Sequence, residues 1–310
     1  MDQPRWEIQP GRVMLGLENL CPSSQSKATL VYLVEERRAD GAAQQRYVLK
    51  CAGPAVTGSE KEKVEEALCR EASALTRLQG VPRVAQIVDS SAGPHITYVL
   101  IKLVEGQDLR VVLDAEQRLG PDQVLTIATE LCKTLTIVHG EDILHLDIKP
   151  SNILLNYTDY TTVLIDFNVA ALDMASSRNS DRPVFFKGRG TAEYVAPEQL
   201  LTDKSARLMY STDLYALAVT VYELLVGRKL FPGRTRKNYA SYPVPRREEL
   251  RETFDQLFPE VSSQALSTLI EGCLRSDLNQ RPIESAEAFQ SALLAALAPC
   301  IVLGEAPSDV

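Results

Sequence analysis

The first third of the chain alternates short apolar runs with turn residues and charges. Four runs rich in Val, Leu, Ile and Tyr have the composition of β-strands, and they cover residues 27–35, 45–51, 84–89 and 95–103. Residues 60–79 instead place apolar side chains at helical spacing and stop at Gly80, which predicts one helix. This pattern predicts a small, β-rich lobe with a single helix.

After Gly106 the apolar spacing becomes helical. Residues 121–140 carry an apolar stripe that steps by three and four, and residues 212–226 are apolar almost all round, as in a helix buried inside a lobe. Two more helices are predicted at residues 262–275 and 282–297. This second part is predicted to be larger and mainly helical.

The two patterns together predict an α+β fold with two lobes and a cleft between them. The predicted boundaries are residues 1–104 for the N-terminal lobe, 105–298 for the C-terminal lobe and 299–310 for a C-terminal tail. The polar residues around Gly106 are few, so they are interpreted as a hinge and not as a long linker.

Composition and charge exclude some classes of protein. The 33 basic and 41 acidic residues leave a net charge of −8, which argues against binding nucleic acid through a general basic surface. The longest near-apolar stretch, residues 292–303, is shorter than the ~20 residues of a membrane-spanning helix. The polar first residues do not resemble a signal peptide, and the six cysteines show no paired spacing. We therefore expect a cytoplasmic protein with reduced thiols.

Two short segments carry the candidate chemistry, HLDIKPSN at residues 145–152 and DFN at residues 166–168. Phosphoryl transfer from a nucleotide needs a carboxylate that orients the attacking hydroxyl, a cation that neutralises the moving phosphoryl group, and oxygen ligands for Mg²⁺. The two segments contain groups of all three kinds: Asp147, Lys149, Asn152 and Asp166.

These segments resemble the motifs HRDxKxxN and DFG of the eukaryotic-type serine/threonine protein kinases. The resemblance continues in order along nearly the whole chain, from YVLK at residues 47–50 and Glu71 to GTAEYVAPE at residues 190–198. Asp213 and Arg281 match the family residues that brace the catalytic loop and pair with the glutamate of APE. The resemblance implies the bilobal protein-kinase fold and an enzyme, a serine/threonine protein kinase.

The resemblance also implies roles in the transfer step. Asp147 would orient the substrate hydroxyl, Lys149 would neutralise charge on the γ-phosphoryl group, and Thr191 would lie beside both. Asn152 and Asp166 would ligate Mg²⁺. The implied partner is a protein that offers a Ser or Thr hydroxyl, with no nucleic acid and no membrane span involved.

An ATP site is implied as well, with Lys50 and Glu71 holding the triphosphate. The other nucleotide-binding residues occupy the phosphate loop, the adenine sandwich, the gatekeeper and the hinge: in that order, Ser24 and Ser26; Val31, Val48 and Leu154; Ile101; and Leu103. The implied cofactors are ATP and Mg²⁺.

The phosphate loop and the DFG motif depart from the family pattern. Ser24, Ser26 and Thr29 stand where the loop has glycine, and glycine lets backbone amides approach phosphates closely. We therefore predict weaker nucleotide binding. Asn168 replaces the DFG glycine, and its tolerance of left-handed φ should let the turn form.

Leu146 replaces the family arginine that commonly binds a phosphate on the activation segment. Leucine cannot make that contact, so we predict activity that does not depend on activation-segment phosphorylation through this site. A phosphate there would need another cation, and the candidates lie within the segment: Arg178, Arg182, Lys187 and Arg189. The alternative, which is the commoner arrangement, is that these residues form a solvated loop.

A basic run between Arg228 and Arg251 lies where the family often docks substrates. It admits two interpretations, an acidic substrate or partner and, more commonly, a solvated face.

Two other functions remain open. A pseudokinase scaffold, which binds nucleotide weakly and acts through protein–protein interaction, is compatible with the glycine-free loop. A small-molecule kinase of related fold fits less well, because that group generally lacks the APE segment and its paired arginine, which match Glu198 and Arg281 here.

Overall fold

The computed structural model describes residues 4–9, 12–20, 28–37, 45–92, 96–156, 160–173, 190–200, 207–259 and 261–303. Residues 9, 37 and 299–303 are described by their backbone alone. The chain divides into two compact units. One comprises Met1–Glu105 and Asp166–Ala170, and the other comprises Gly106–Ile165 and Ala171–Val310.

The first unit is built on a six-stranded antiparallel sheet. Its strands are β1 (Arg5–Gln9), β2 (Arg12–Asn19), β3 (Thr29–Arg37), β4 (Arg46–Ala52), β5 (Ile87–Ala92) and β6 (Thr97–Lys102), and their order is β1-β2-β3-β4-β6-β5. Helix α1 (Gly58–Arg77) packs on β4, β5 and β6. The four predicted strands and the predicted helix are confirmed, whereas β1 and β2 were missing from the prediction.

Alternation along β4 gives the sheet two different faces. Tyr47, Leu49 and Cys51 are buried on one face, and Val48 and Lys50 project from the other. The buried face packs into one apolar core with residues of the neighbouring strands: Ile8, Met14, Val34, Tyr98 and Leu100. Lys50 is therefore separated from this core by the sheet itself, whereas Cys51 points into the core and away from Lys50.

The missed strands β1 and β2 form a hairpin at the edge of the sheet. Trp6 on β1 contacts the ring of Tyr32 with 4.9 Å between ring centroids. Arg12 on β2 donates to Glu36 at 2.8 Å and to Asp89 at 2.7 Å. Polar residues at both ends of β2 leave an apolar run of only residues 13–17, which includes Gly16, although the partners of Arg12 make the hairpin part of the sheet.

The second unit combines a small antiparallel sheet with helices. The strands are β7 (Gln107–Asp108), β8 (Ile153–Leu155) and β9 (Thr162–Leu164). The helices are α2 (Leu109–Glu116), α3 (Pro121–Gly140), α4 (Pro197–Leu200), α5 (Tyr210–Val226), α6 (Arg247–Leu257), α7 (Ser263–Cys273) and α8 (Ala286–Leu303).

Helix α5 lies at the centre of this unit. Residues 211–225 are all buried, which confirms the prediction of a buried helix, and α3, α7 and α8 pack against it. Helix α3 is confirmed with the predicted bounds. Helix α8 begins four residues later than predicted, because the Ser285 hydroxyl accepts a hydrogen bond from the Ala288 amide at 3.2 Å and starts the helix there.

Among the helices that the structure describes, none is both long and apolar enough to cross a membrane. The described cysteines, Cys51, Cys69, Cys132 and Cys273, form no disulfide.

Candidate active site

In the first unit, Lys50 lies between two carboxylates. Its Nζ donates to Glu71 Oε1 and to Asp166 Oδ1, both at 2.7 Å. Lys50 comes from the middle of β4, Glu71 from the middle of α1, and Asp166 from the short segment that returns to this unit. The fold thus brings together three of the predicted site residues that lie far apart in the sequence.

Burial and charge act in opposite directions on this cluster. Burial opposes the charge of Lys50, but the attraction of Asp166 and Glu71 is larger in total and raises the pKa of Lys50 above its ordinary value. Burial raises the pKa of Glu71, with Lys50 opposing that shift and Asp166 adding to it. Lys50 is therefore a permanent cation at physiological pH.

The face of the sheet that carries Lys50 also carries the predicted adenine-binding residues of this unit. In the antiparallel register Val31 is opposite Lys50, and Val48 is opposite both Leu33 and Ile101. Directly opposed residues share a face, and so do residues two apart on one strand. Val31, Val48 and Ile101 are thus brought to the face of Lys50, while Leu103 lies just beyond the end of β6.

The remaining predicted residues belong to the second unit or lie outside the described residues. Leu154 lies half-buried on β8 of the second unit. Ser24 and Ser26 lie outside the described residues, and so do the four cations proposed for an activation-segment phosphate: Arg178, Arg182, Lys187 and Arg189.

In the second unit, Asp147 is surrounded by donors. Its Oδ2 accepts from Lys149 Nζ at 2.7 Å and from Asn152 Nδ2 at 3.0 Å, and its Oδ1 accepts from the Thr191 amide at 2.8 Å. Asn152 Nδ2 also donates to the Asp147 carbonyl at 2.9 Å. The carboxylate, which is only 6% exposed, is held in one orientation by these contacts.

Lys149 links the loop of residues 145–149 to the segment that carries Thr191. Its Nζ donates to Thr191 Oγ1 at 2.7 Å as well as to Asp147. Thr191 therefore contacts both residues, one through its amide and the other through its hydroxyl.

Asp213, in the first turn of α5, holds the backbone of residues 145–146. Its carboxylate accepts hydrogen bonds from the amides of His145 at 2.9 Å and Leu146 at 2.8 Å, and it contacts His139 Nε2 at 3.0 Å. Burial favours the neutral acid, but the hydrogen bond and charge of His139, with further help from His145 and the Leu146 amide, lower the pKa of Asp213. His139 was missing from the sequence analysis, since it is one polar residue on a mainly buried helix.

The left-handed backbone of this region is not where the sequence analysis placed it. Asn168 is absent from the described residues with positive φ, whereas Leu146 has φ 66° and Asp166 has φ 68°. The turn at Asn168 forms, as the sequence analysis expected, but without the left-handed φ given there as its reason. Its carbonyl instead accepts from Arg70 Nη1 at 2.7 Å, a contact that fixes the turn without left-handed φ.

Two buried glutamates anchor the segment that follows Thr191. Glu198 forms a two-pronged pair with Arg281 at 2.8 Å for each contact, as the resemblance implies. Glu223 accepts from Tyr194 Oη at 2.5 Å and also from Arg110. Burial raises the pKa of Tyr194, and Glu223 adds to that shift, so this phenol stays a donor.

The basic run does not behave as one solvated face. Arg234 is 4% exposed, and Lys229 and Arg247 pair with Glu193 at 2.5 Å and Glu271 at 2.8 Å. The members of the run that stay exposed include Arg228, Arg236, Lys237 and Arg246.

Comparison with known sequences gives a family match over most of the chain. The family described as "Protein kinase domain" matches residues 34–293, so that β1, β2 and the first part of β3 precede the match. The chain is 30% identical over 241 residues to a serine/threonine-protein kinase, pkn3, of Myxococcus xanthus, a match that covers 73% of this chain and 41% of the relative.

Mycobacterial kinases are similar to the same degree. The chain is 30% identical over 208 residues to the serine/threonine-protein kinase PknH of Mycobacterium bovis, which covers 65% of this chain and 33% of that protein. It is 33% identical over 147 residues to PknB of Mycobacterium leprae, which covers 47% and 22% respectively. The matched region thus spans about two fifths or less of each of these relatives.

Proposed function

The chain belongs to the protein kinase domain family, and from that membership we propose that it transfers the γ-phosphoryl group of ATP to Ser or Thr hydroxyls of protein substrates. One observation carries the proposal: Asp147 receives hydrogen bonds from Lys149, Asn152 and Thr191 at 2.7 to 3.0 Å. These contacts fix one carboxylate beside a cation and a backbone amide, the arrangement that orienting a substrate hydroxyl requires.

Asp147 would accept a hydrogen bond from the substrate hydroxyl and orient its oxygen for in-line attack on the γ-phosphorus. Lys149 would neutralise charge on the transferring group, since its ammonium is already held beside Asp147. Lys50, kept protonated by Asp166 and Glu71, would bind the α- and β-phosphates.

The residues proposed to hold Mg²⁺ fit its preference for hard oxygen ligands. The Asn152 amide nitrogen is committed to Asp147, which turns its carbonyl oxygen away from that residue and leaves it for a cation. Asp166 supplies a carboxylate. When bound, the ion would offset negative charge on the β- and γ-phosphate oxygens.

We place this activity in the cytoplasm, where free thiols such as Cys69 stay reduced. A preference for acidic substrates would depend on the basic residues that stay exposed, Arg228, Lys237 and Arg246 among them.

A labelled-phosphate assay tests the proposal. The chain is incubated with labelled Mg-ATP and a general protein substrate, beside Asp147→Asn and the control Asp114→Asn, whose side chain is 67% exposed. We expect transfer by the wild type and the control, and a loss of about 100-fold or more in Asp147→Asn. Binding of ATP by the wild type without transfer would contradict the proposal and indicate a scaffold.

A further inference from the structure

Segment 190–195 of the second unit contains Thr191, which contacts both Asp147 and Lys149. The position of this segment therefore decides whether Asp147 and Lys149 keep their hydrogen bonds to Thr191. A later stretch of the same unit, residues 229–236, donates hydrogen bonds along the whole segment, and we call this stretch the clamp.

Arg234 makes the central contacts of the clamp. Its Nε donates to the Ala192 carbonyl at 2.7 Å, its Nη2 donates to the Val195 carbonyl at 3.1 Å, and its Nη1 donates to Tyr215 Oη at 3.1 Å. The three nitrogen atoms of one planar guanidinium thus donate to three different acceptors. A lysine could not make all three contacts, because its donors lie on a single nitrogen atom.

Aromatic rings fix the plane of this guanidinium. Its Cζ lies 3.9 Å from the ring centre of Phe231 and 4.5 Å from that of Tyr239. The Tyr239 hydroxyl itself donates to the Val195 carbonyl at 3.3 Å. Arg234 is therefore held rigidly, and its contacts with the segment do not compete with water.

The neighbours of Arg234 extend the clamp to both sides. Lys229 Nζ and the Gly233 amide donate to the two carboxylate oxygens of Glu193, at 2.5 Å and 3.1 Å. Arg236 Nη2 donates to the Gly190 carbonyl at 3.1 Å. Residues 190, 192, 193 and 195 each receive a donor from the clamp.

The clamp supplies the cations that Leu146, next to Asp147, does not provide. Leu146 is an apolar side chain, 2% exposed, and it offers no charge that a phosphate on the activation segment could bind. The clamp brings cations and amides directly to the backbone and to Glu193, so its contacts need no phosphate.

We propose that Arg234 is a positioning residue for phosphoryl transfer to protein substrates. It holds segment 190–195, and with it Thr191, beside Asp147 in the unphosphorylated chain. This inference rests on the proposed function. It implies that segment 190–195 is ordered by contacts within the chain and not by phosphorylation.

Steady-state kinetics of Arg234→Met test the proposal, because methionine keeps apolar bulk and removes all three donors. We expect kcat/KM for the protein substrate to fall about tenfold or more, whereas KM for ATP stays within about twofold. The split is expected because the clamp and its targets belong to the second unit, while Lys50 and its carboxylates belong to the first. Arg234→Lys should lie between Arg234→Met and wild type.

Arg207→Met is the matched control, since Arg207 is an exposed arginine of the second unit that lies outside the basic run. Hydrogen exchange gives a readout independent of transfer. The Thr191 amide donates to Asp147 Oδ1, and its exchange should become faster in Arg234→Met but not in Arg207→Met.

Unchanged kcat/KM and unchanged exchange at Thr191 in a folded Arg234→Met protein would overturn the proposal. If that variant fails to fold, the double variant Lys229→Met/Arg236→Met decides by the same two readouts, because both side chains lie nearer the surface. If the wild type transfers no phosphate, the proposed function fails, and exchange at Thr191 still decides whether the clamp holds the segment.

Discussion

Lys50 keeps its positive charge at a position where burial opposes it. The balance depends on two carboxylates at 2.7 Å, one on α1 and one in the segment 166–170. If Glu71 is removed, Asp166 becomes the remaining partner and is drawn more strongly toward the lysine. The Lys50–Glu71 pair therefore affects both the lysine proposed to bind phosphate and the Asp166 carboxylate proposed to bind Mg²⁺.

Glu71→Gln should raise KM for ATP about tenfold, a change of ~1.4 kcal/mol, because the glutamine cannot hold the Lys50 ammonium against Asp166. Initial rates measured across a range of ATP concentrations check this. Glu66→Gln, an exposed position on the same helix, is the control. Equal KM values for the two variants would show that the pair has no part in ATP binding.

Asp213 predicts a specific dependence of stability on pH. Its pKa is lower in the folded chain than in the unfolded chain, so its ionised form stabilises the fold. That contribution is complete above the ordinary aspartate pKa of about 3.9 and is lost as the pH falls through the lowered value.

Asp213→Asn should accordingly lower the free energy of unfolding by about 2 kcal/mol at pH 7, and by progressively less below about pH 4. Urea unfolding over a series of pH values measures the difference, with Asp114→Asn as the exposed control. A difference between wild type and Asp213→Asn that stays constant down to pH 2 would contradict this account.

At the scale of elements, prediction from sequence depends on whether the evidence for an element is local. Helix α3 repeats its apolar residues without interruption over five turns, and its bounds were predicted as observed. Strand β2 begins with Arg12, and the partners that explain this arginine, Glu36 and Asp89, lie on other strands. Its stabilising partners cannot be recognised until the sheet is known.

The same distinction applies to the candidate site. Asp147, Lys149 and Asn152 are close in sequence, so their grouping was predictable before any fold was known. His139 and Arg234 act on residues far away in the chain, at Asp213 and at segment 190–195. Their roles follow only from the packing of the helices, and the sequence left Arg234 within a run of apparently equivalent cations.

The residues between β2 and β3 include Ser24 and Ser26, at positions where the family pattern has glycine. The double variant Ser24→Gly/Ser26→Gly should bind Mg-ATP about three- to tenfold more tightly, because the backbone hydrogen bonds to phosphate that it adds together contribute ~1 kcal/mol. Calorimetric titration with Mg-ATP measures the change, beside Ser276→Gly as an exposed serine in the second unit. No gain over wild type would refute the role assigned to the missing glycines.

At the scale of the whole molecule, the chain should be active as synthesised. Phosphatase-treated protein, shown by mass spectrometry to carry no phosphate, should keep kcat within about twofold of the untreated protein, since Leu146 offers no site for a phosphate. The triple variant Ser176→Ala/Ser177→Ala/Ser180→Ala prevents rephosphorylation at those serines during the assay. Activity that is lost on treatment and returns only with phosphate between residues 168 and 198 would disprove this.

The path of the chain between its two units limits how such a protein can be divided or recombined. The chain leaves the first unit after Glu105, returns at Asp166 and leaves again after Ala170. A gene cut at residue 105 would yield a first fragment that lacks the Asp166 carboxylate, although that fragment contains Lys50 and Glu71. Split-gene complementation would therefore succeed only if the second fragment donated five of its residues to the first, and recombination within residues 106–170 would exchange parts of both units together.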